Sequence, residues 1–286
     1  MPELPDLLYI KKYLKKEVEH KTIVSAMVKQ PVVLRVAVDQ PFDRAISNKS
    51  IEIIDIHGPF IRFELSESID LVMNLMLAGR LQHQQPAEKT EGYVCCSLAF
   101  NDGTQLNLCD EDKMAKLYVV RHGDYTSIPK YKEQGIDILS EQFTLEVFST
   151  LARLNSRRQV RVFINDHTTL SSIGNAYADE ILFNARIHPK TFVNKITEKQ
   201  FHQLFSSIRS VMEWGRREVE KAGKPIHVKV REHMKVRNRK GEPCPRCSTT
   251  IRREGVRGYD VFFCPTCQPA SRRLFIDWNK TSKGKP

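Results

Sequence analysis

The chain has 286 residues, and 45 Lys+Arg against 34 Asp+Glu give a formal charge of +11. Apolar residues make up 41% of it, enough for packed cores. The longest apolar runs, such as Leu75-Met76-Leu77-Ala78 and Leu117-Tyr118-Val119-Val120, fall far short of the roughly 20 residues of a membrane span, and no basic-then-apolar segment at the N-terminus suggests a secretory signal.

Residues 3–18 are expected to form a helix. Leu4, Leu7, Leu8, Tyr13 or Leu14, and Val18 recur at helical spacing, and Lys11, Lys12, Lys15 and Lys16 leave a charged face. Residues 22–125 change period. Short β-rich runs follow at Thr22–Val28, Val32–Val38, Ser50–Ile56, Phe60–Leu65, Leu71–Leu75, Tyr93–Phe100, Gln105–Leu108 and Ala115–Val120. Turn-formers such as His57-Gly58-Pro59 and Asn101-Asp102-Gly103 separate several of them, which predicts an all-β sandwich or barrel. Residues 141–222 return to helical periodicity, with segments at Gln159–Asn165, Ala176–Phe183 and Ile196–Glu218. Residues 223–240 read as a basic connector, and Lys280–Pro286 as a frayed end.

Charge is spread unevenly. Residues 1–213 hold 26 basic and 27 acidic side chains, whereas residues 214–286 hold 19 and 7. The whole excess lies in the last quarter, which points to a polyanionic partner or to a solvated basic tail.

The cysteines choose between those readings. Cys244-x-x-Cys247 and Cys264-x-x-Cys267 are two hooks separated by 16 residues, the spacing of a four-thiolate structural Zn²⁺ site. The segment between them suits a β-hairpin: Thr249–Arg253, a turn near Glu254-Gly255, then Gly258–Phe263. It carries Arg252, Arg253, Arg257 and Tyr259, and the preceding connector carries Lys229, Arg231, Lys235, Arg237, Arg239 and Lys240. A basic hairpin stapled by metal is an ordered nucleic-acid-binding lobe. Cys95, Cys96 and Cys109 lie in apolar strand-like sequence and are expected to be buried thiols.

Four segments together resemble the formamidopyrimidine-DNA glycosylase/endonuclease VIII family of base-excision repair enzymes. They are Met1-Pro2-Glu3-Leu4-Pro5-Asp6, Ile173-Gly174-Asn175-Ala176-Tyr177-Ala178-Asp179-Glu180, Ala185-Arg186-Ile187-His188-Pro189, and Lys240-Gly241-Glu242-Pro243-Cys244 through Cys264-Pro265-Thr266-Cys267-Gln268. The resemblance implies an α+β multidomain chain. Residues 1–130 would form an N-terminal helix and β-sandwich catalytic domain, 131–228 a helix-two-turn-helix DNA-binding domain, 229–270 a zinc-finger hairpin, and 271–286 a tail.

It also implies chemistry. With Met1 removed, Pro2 has a free secondary amine that titrates near about 8, so part of it is neutral at physiological pH. That amine would attack the sugar C1′ of a damaged nucleotide, and Glu3 would shuttle protons. Asn175 would hold DNA phosphate, and Arg157 upstream is either a second phosphate contact or part of a solvated helix face. The resemblance therefore implies a DNA glycosylase with abasic-site lyase activity by β/δ-elimination. Its expected partner is damaged or abasic DNA, duplex or also single-stranded or bubble; the expected protein is monomeric, off the membrane and cytoplasmic, or nucleoid-associated if bacterial. A non-excising binder of lesions or abasic sites on the same scaffold is the alternative.

Departures from the family pattern bear on substrate. The family's Gly-Lys-aromatic stretch is Gly58-Pro59-Phe60 here, and His57 and Arg62 are the nearby side chains able to stand in for the Lys. Leu77 replaces a void-filling Met. Asp112 falls where the family inserts an Arg, and Met114 where it inserts a Phe. A carboxylate would not enter a duplex as that Arg does. The hairpin Arg position is Tyr259; a turn shifted by two residues would bring Arg257 into the role. The expected substrate range is accordingly altered: single-stranded, bubble, abasic, cross-linked or bulky-lesion DNA.

Overall fold

The computed structural model describes residues 2–86 and 88–270; the expected tail at 271–286 lies outside the described residues. The chain divides into two compact units. One gathers the chain up to Ser140 with His167–Gly174 and Met212–His233; the other gathers Glu141–Asp166, Asn175–Val211 and the described residues from Met234 onward.

The first unit begins with helix α1 (Leu4–Glu17), close to the expected span. Strands β1 (Ile23–Val28) and β2 (Leu34–Val36) and the short helix α2 (Phe42–Ile46) follow. Next come β3 (Ile51–His57), β4 (Phe60–Leu65), β5 (Ile69–Asn74), β6 (Arg80–Gln84), β7 (Val94–Phe100), β8 (Gln105–Cys109) and β9 (Lys116–Arg121). They form a four-stranded sheet in the order β1-β7-β8-β6 and a five-stranded sheet in the order β2-β9-β5-β4-β3. The β2–β9 pair is parallel and the other pairs in these sheets are antiparallel. Leu98, Phe100, Leu106 and Leu108 of one sheet and Ile54, Phe63, Leu71 and Met73 of the other share one apolar core with Leu7, Ile10 and Leu14 of α1. Burial of that continuous apolar surface, at roughly 25 cal/mol per Å², is what holds the sandwich. Two-residue strands β10 (Ile136–Asp137) and β11 (Leu170–Ser171) pair in parallel within this unit.

Four elements escaped the pattern, and β10 and β11, at two residues each, are too short to show one. Helix α2 is too short to show a period. Strand β6 reads Arg-Leu-Gln-His-Gln, polar for a strand, because its buried amides are hydrogen-bonded by the segment above them. Thr90 Oγ1 donates to Gln84 Oε1 at 2.7 Å, and Glu91 N donates to Gln82 Oε1 at 2.9 Å. Cys95, Cys96 and Cys109 are buried, as expected. Burial pushes the Cys96 thiol up to about 12 and the Cys109 thiol to about 11, which leaves them unreactive.

The second unit holds α3 (Leu145–Leu154), α4 (Val160–Ile164), α5 (Asn175–Ala185) and the first half of α6 (Glu198–Ala222). Thr144 caps α3 by accepting from Val147 N at 3.2 Å. Phe143, Phe148, Phe163, Phe201 and Phe205 pack ring to ring between these helices, with centroids 5.0–5.7 Å apart. The hairpin β12 (Arg252–Val256) and β13 (Tyr259–Phe263) completes the unit. Its turn corrects the expectation: it lies at Arg257-Gly258, between the paired Val256 and Tyr259, rather than near Glu254-Gly255. Arg257 has φ 48° and Gly258 φ 84°. Positive φ at both central residues is the tight turn that matches strand twist, and Gly258 adopts it without strain.

Candidate active site, phosphate turn and zinc site

Glu3 and Asp6 close the start of α1 reciprocally. Asp6 Oδ2 accepts from Glu3 N at 2.8 Å, and the Glu3 carboxylate accepts from Asp6 N. This is a capping box, with Pro5 in the first turn where its missing N–H costs nothing. Glu3 is buried, and its side chain lies against the backbone of Gly174. A Cβ at residue 174 would fall 2.3 Å from Glu3 Cδ, so that position must be glycine for Glu3 to sit there.

Pro2 is buried and lines a narrow cleft of about 10 Å³ with Asp6, Tyr9, Gly79, Arg80, His227 and Lys229, whose inner wall is Ile10, Leu75 and Ile226 at the edge of the sandwich core. Arg231 grips Asp6 with both guanidinium ends, Nη1 to Oδ1 at 2.8 Å and Nη2 to Oδ2 at 2.6 Å. Lys229 Nζ donates to Leu77 O at 3.0 Å, and His227 Nε2 lies 3.4 Å from Glu91. Met1, whose removal the amine chemistry requires, lies outside the described residues.

A second, polar cavity of about 270 Å³ shares Arg80 and His227 with that cleft and continues to Tyr93, Glu111 and Asp112. Asp110 is buried and organises the loop beside it by accepting from Asp112 N at 3.1 Å and Ala115 N at 2.7 Å. Asp112, which lines this cavity, is exposed, as are Met114 and Leu77. His57 and Arg62 are engaged elsewhere. His57 Nε2 lies 2.7 Å from Tyr131 O, and Arg62 donates to Glu64 at 2.9 Å.

In the second unit, Asn175 opens α5 with its amide fixed. Its Oδ1 accepts from Arg161 Nη2 at 2.9 Å and from Asn165 Nδ2 at 3.1 Å. Only an oxygen can accept from two donors, so the NH₂ end points the other way. Arg157 is exposed, whereas Arg161 is fully buried and also donates to Asp179 at 3.2 Å. Asp179 receives Arg237 Nη1 at 2.8 Å and Phe262 N at 3.3 Å as well. Burial raises the Asp179 carboxyl to about 6, while the two guanidinium groups pull it down. The neighbouring Glu180 accepts three successive backbone N–H groups, from Lys235, Val236 and Arg237, at 2.9–3.0 Å. Sequence reading named Asp6, Asp179, Glu180, Arg231 and Arg237 but assigned them no pairing, since Arg231 is 225 positions from Asp6, and Lys235 and Arg237 lie 55 or more positions from Asp179 and Glu180.

Cys244, Cys247, Cys264 and Cys267 converge with all four sulfurs within 4.8 Å. The closer pairs stand 3.4–3.9 Å apart, near the edge of about 3.8 Å that a tetrahedron of 2.3 Å Zn–S bonds requires. Each hook turns so that a backbone N–H points at its first sulfur, Arg246 N to Cys244 and Cys267 N to Cys264, both at 3.4 Å. The Thr249 hydroxyl, 3.4 Å from Cys247 Sγ, pulls that thiol down to about 6, toward the thiolate a metal needs. The residues fit a structural zinc ion, with no position left for a substrate. Buried Gln268 fastens the second hook by accepting from Cys264 N at 3.0 Å and donating to Ile187 O at 2.9 Å. Phe183, Val236, Ile251 and Phe262 pack around Cys244 and Cys264. Arg257 at the hairpin tip and Tyr259 beside it are exposed.

Comparison with known proteins agrees with this geometry. The formamidopyrimidine-DNA glycosylase N-terminal domain model matches residues 1–117. Its H2TH domain model matches residues 134–226, and the zinc finger found in FPG and IleRS matches residues 241–270. A formamidopyrimidine-DNA glycosylase of Cytobacillus firmus is 30% identical over 278 residues, covering 94% of this chain and 100% of that protein. One from Shouchella clausii is 29% identical over 280 residues, covering 94% and 99%. Among solved structures, the MutM (Fpg) protein of Thermus thermophilus is 28% identical with a TM-score of 0.80, covering 94% of this chain and all of that one. Lactococcus lactis Fpg in complex with abasic-site DNA shares the fold at 23% identity and a TM-score of 0.83, with the same coverage. Three family models in the family's order, relatives spanning the full length and a four-cysteine cluster make one conclusion: the chain belongs to the formamidopyrimidine-DNA glycosylase family.

Proposed function

We propose that this protein is a DNA base-excision repair glycosylase with abasic-site lyase activity, in which the Pro2 amine is the nucleophile and Glu3 the proton carrier. One observation carries most of the reading. Pro2, although buried, forms part of the wall of a narrow cleft, and Glu3 is held beside it by a capping box and a glycine that makes room for it. In the proposed reaction the neutral amine bonds to C1′ of the damaged nucleoside, and the base leaves with the bonding pair and takes up a proton. Glu3 protonates the ring oxygen as the sugar opens to an iminium. The iminium acidifies the C2′ proton, whose loss expels the 3′ phosphate and leaves a conjugated iminium. Loss of the C4′ proton from that iminium expels the 5′ phosphate, and water then releases the sugar fragment and restores the Pro2 amine.

The supporting roles follow. Asn175, whose Oδ1 is fixed by Arg161 and Asn165, and exposed Arg157 are assigned to phosphate contact. Arg257 is assigned to the hairpin's groove contact, because the turn places it at the tip, and Tyr259 stands beside it. Residues 1–130, 131–228 and 229–270 are assigned as catalytic, helix-two-turn-helix and zinc-hairpin domains. Exposed Leu77 and Met114 and acidic Asp112 are poor fillers for the gap an extruded base leaves. Unstacking a base costs a few kcal/mol, so substrates that need little of it are favoured: abasic, bubble, single-stranded, cross-linked or bulky-lesion DNA. The protein is assigned as a monomer acting on DNA in the cytoplasm or nucleoid.

Borohydride trapping on abasic-site DNA tests the reading, with Pro2→Gly and an N-terminally blocked protein as controls. A covalent adduct that blocking abolishes is the expected result. Tight abasic-DNA binding with no adduct at any protein concentration would instead identify a binder that does not excise. Efficient release of 8-oxoguanine from intact duplex would overturn the substrate assignment.

A further inference from the structure

The Pro2 cleft has an uneven charge lining. Asp6 comes from α1, Arg80 from β6, and His227 and Lys229 from the segment after α6. Glu3, the N-cap of α1, follows Pro2, and Glu91 lies against His227. A carboxylate close to an amine favours its protonated form, and a protonated amine has no lone pair with which to attack. Asp6 is nonetheless required, since it caps Glu3 N. The conflict is resolved by the two-pronged grip of Arg231, whose side chain is 22% exposed against 8% for Asp6. With Asp6 neutralised, Arg80 and Lys229 are left to offset the carboxylate of Glu3 alone.

Resting on the lyase reading above, we propose that Arg231 is a positioning residue for the nucleophile: it holds Asp6 in place for the Glu3 cap while cancelling its charge toward the Pro2 amine. The guanidinium acts through Asp6 rather than on the reacting atoms, and what it changes is the pH range over which the amine attacks.

The test uses the full chain with Met1 removal verified by mass, ¹³C-labelled at proline and titrated by NMR, alongside borohydride trapping from pH 6 to 9.5. In Arg231→Met the Pro2 midpoint should rise by about one pH unit, and trapping at pH 6.5 should slow roughly tenfold, recovering above pH 9. Arg231→Lys keeps the charge and should leave the midpoint near wild type. Asp6→Asn/Arg231→Met removes both charges and should restore it, and Asp6→Asn alone, whose amide oxygen still caps Glu3, should lower it. A midpoint that does not move in Arg231→Met, or moves equally in Arg231→Lys, overturns the proposal. Should Arg231→Met fail to fold, the Asp6→Asn shift decides alone. Because the titration needs no turnover, a wild-type protein that forms no adduct while the midpoints shift as stated defeats the lyase reading and leaves the clamp standing.

Discussion

Gly174 is bare because Glu3 fills its space: a Cβ at residue 174 would stand 2.3 Å from Glu3 Cδ and 2.4 Å from its Cγ. Gly174→Ala must therefore push the carboxylate away. A displacement of about 1 Å in a catalytic group costs on the order of 100-fold in rate. We expect abasic-site cleavage under single-turnover conditions to fall by about that factor while DNA affinity changes only a few-fold. Unchanged cleavage would remove Glu3 from the mechanism.

Arg161 is a fully buried cation shared between Asp179 and the Asn175 amide. Removing one member of a buried pair strands the other, at roughly 3–5 kcal/mol. Arg161→Ala should lower the urea unfolding free energy by about that amount, whereas Arg157→Ala, on the surface, should change it by less than about 0.5 kcal/mol. Equal effects from the two substitutions would contradict the burial argument.

The zinc site leads to a stoichiometric expectation. Metal analysis should find one zinc per chain, and Cys264→Ser should abolish it, because Cys264 is buried among Phe183, Ile251 and Phe262. Chelation should accelerate amide exchange in Arg252–Phe263 before it affects the sandwich strands. Retained zinc in Cys264→Ser would mean that the cluster is not the ligand set.

Arg257 stands at the turn between Val256 and Tyr259. If it contacts phosphate, Arg257→Ala should weaken DNA binding and reduce the salt slope by about one ion. Tyr259→Ala should leave the slope alone, since it removes no charge. A slope identical in wild type and Arg257→Ala would assign the hairpin tip elsewhere.

His188 is buried with its Nδ1 accepting from Lys190 N at 3.2 Å and its ring edge-on to Phe263. Burial lowers its pKa below the ordinary value of about 6.5, as it also does for His83 and His233. A depressed pKa means that the unfolded chain binds protons first. The stabilising contribution is complete above about pH 6.5 and is lost as pH falls through the folded value. Urea midpoints should therefore decline between pH 7 and 5, less steeply in His188→Asn, which keeps an acceptor but cannot titrate. A midpoint that rises on acidification would invert the assignment.

What could be read in advance, and what could not, follows the range of the interactions. Helix α1 and most of the sandwich strands were legible because burial imposes a period on neighbouring residues. The zinc hooks were legible because tetrahedral coordination fixes a local spacing. Strand β6 was hidden because Gln82 and Gln84 are satisfied by Glu91 and Thr90 rather than buried against carbon. The hairpin turn was misplaced by three residues because Glu254-Gly255 looks like a turn, yet the facing pairs Glu254–Val261 and Gly255–Asp260 continue the ladder. Arg231 and Asp6 stand 225 positions apart, and no local rule joins them.

Asp179 and Glu180 are consecutive on α5, and together they receive Arg237, the Phe262 N–H and three backbone N–H groups of residues 235–237. The metal-bound lobe is thus grafted onto one turn of a helix through two buried carboxylates. It cannot be treated as a cassette. A chain cut at residue 233 would lose its basic end and would also leave two anions in the helical layer with several of their hydrogen bonds gone. Exchange of the lobe for another zinc hairpin would succeed only where the replacement brings its own guanidinium and its own N–H triplet. The partnership therefore constrains which domain swaps this architecture tolerates.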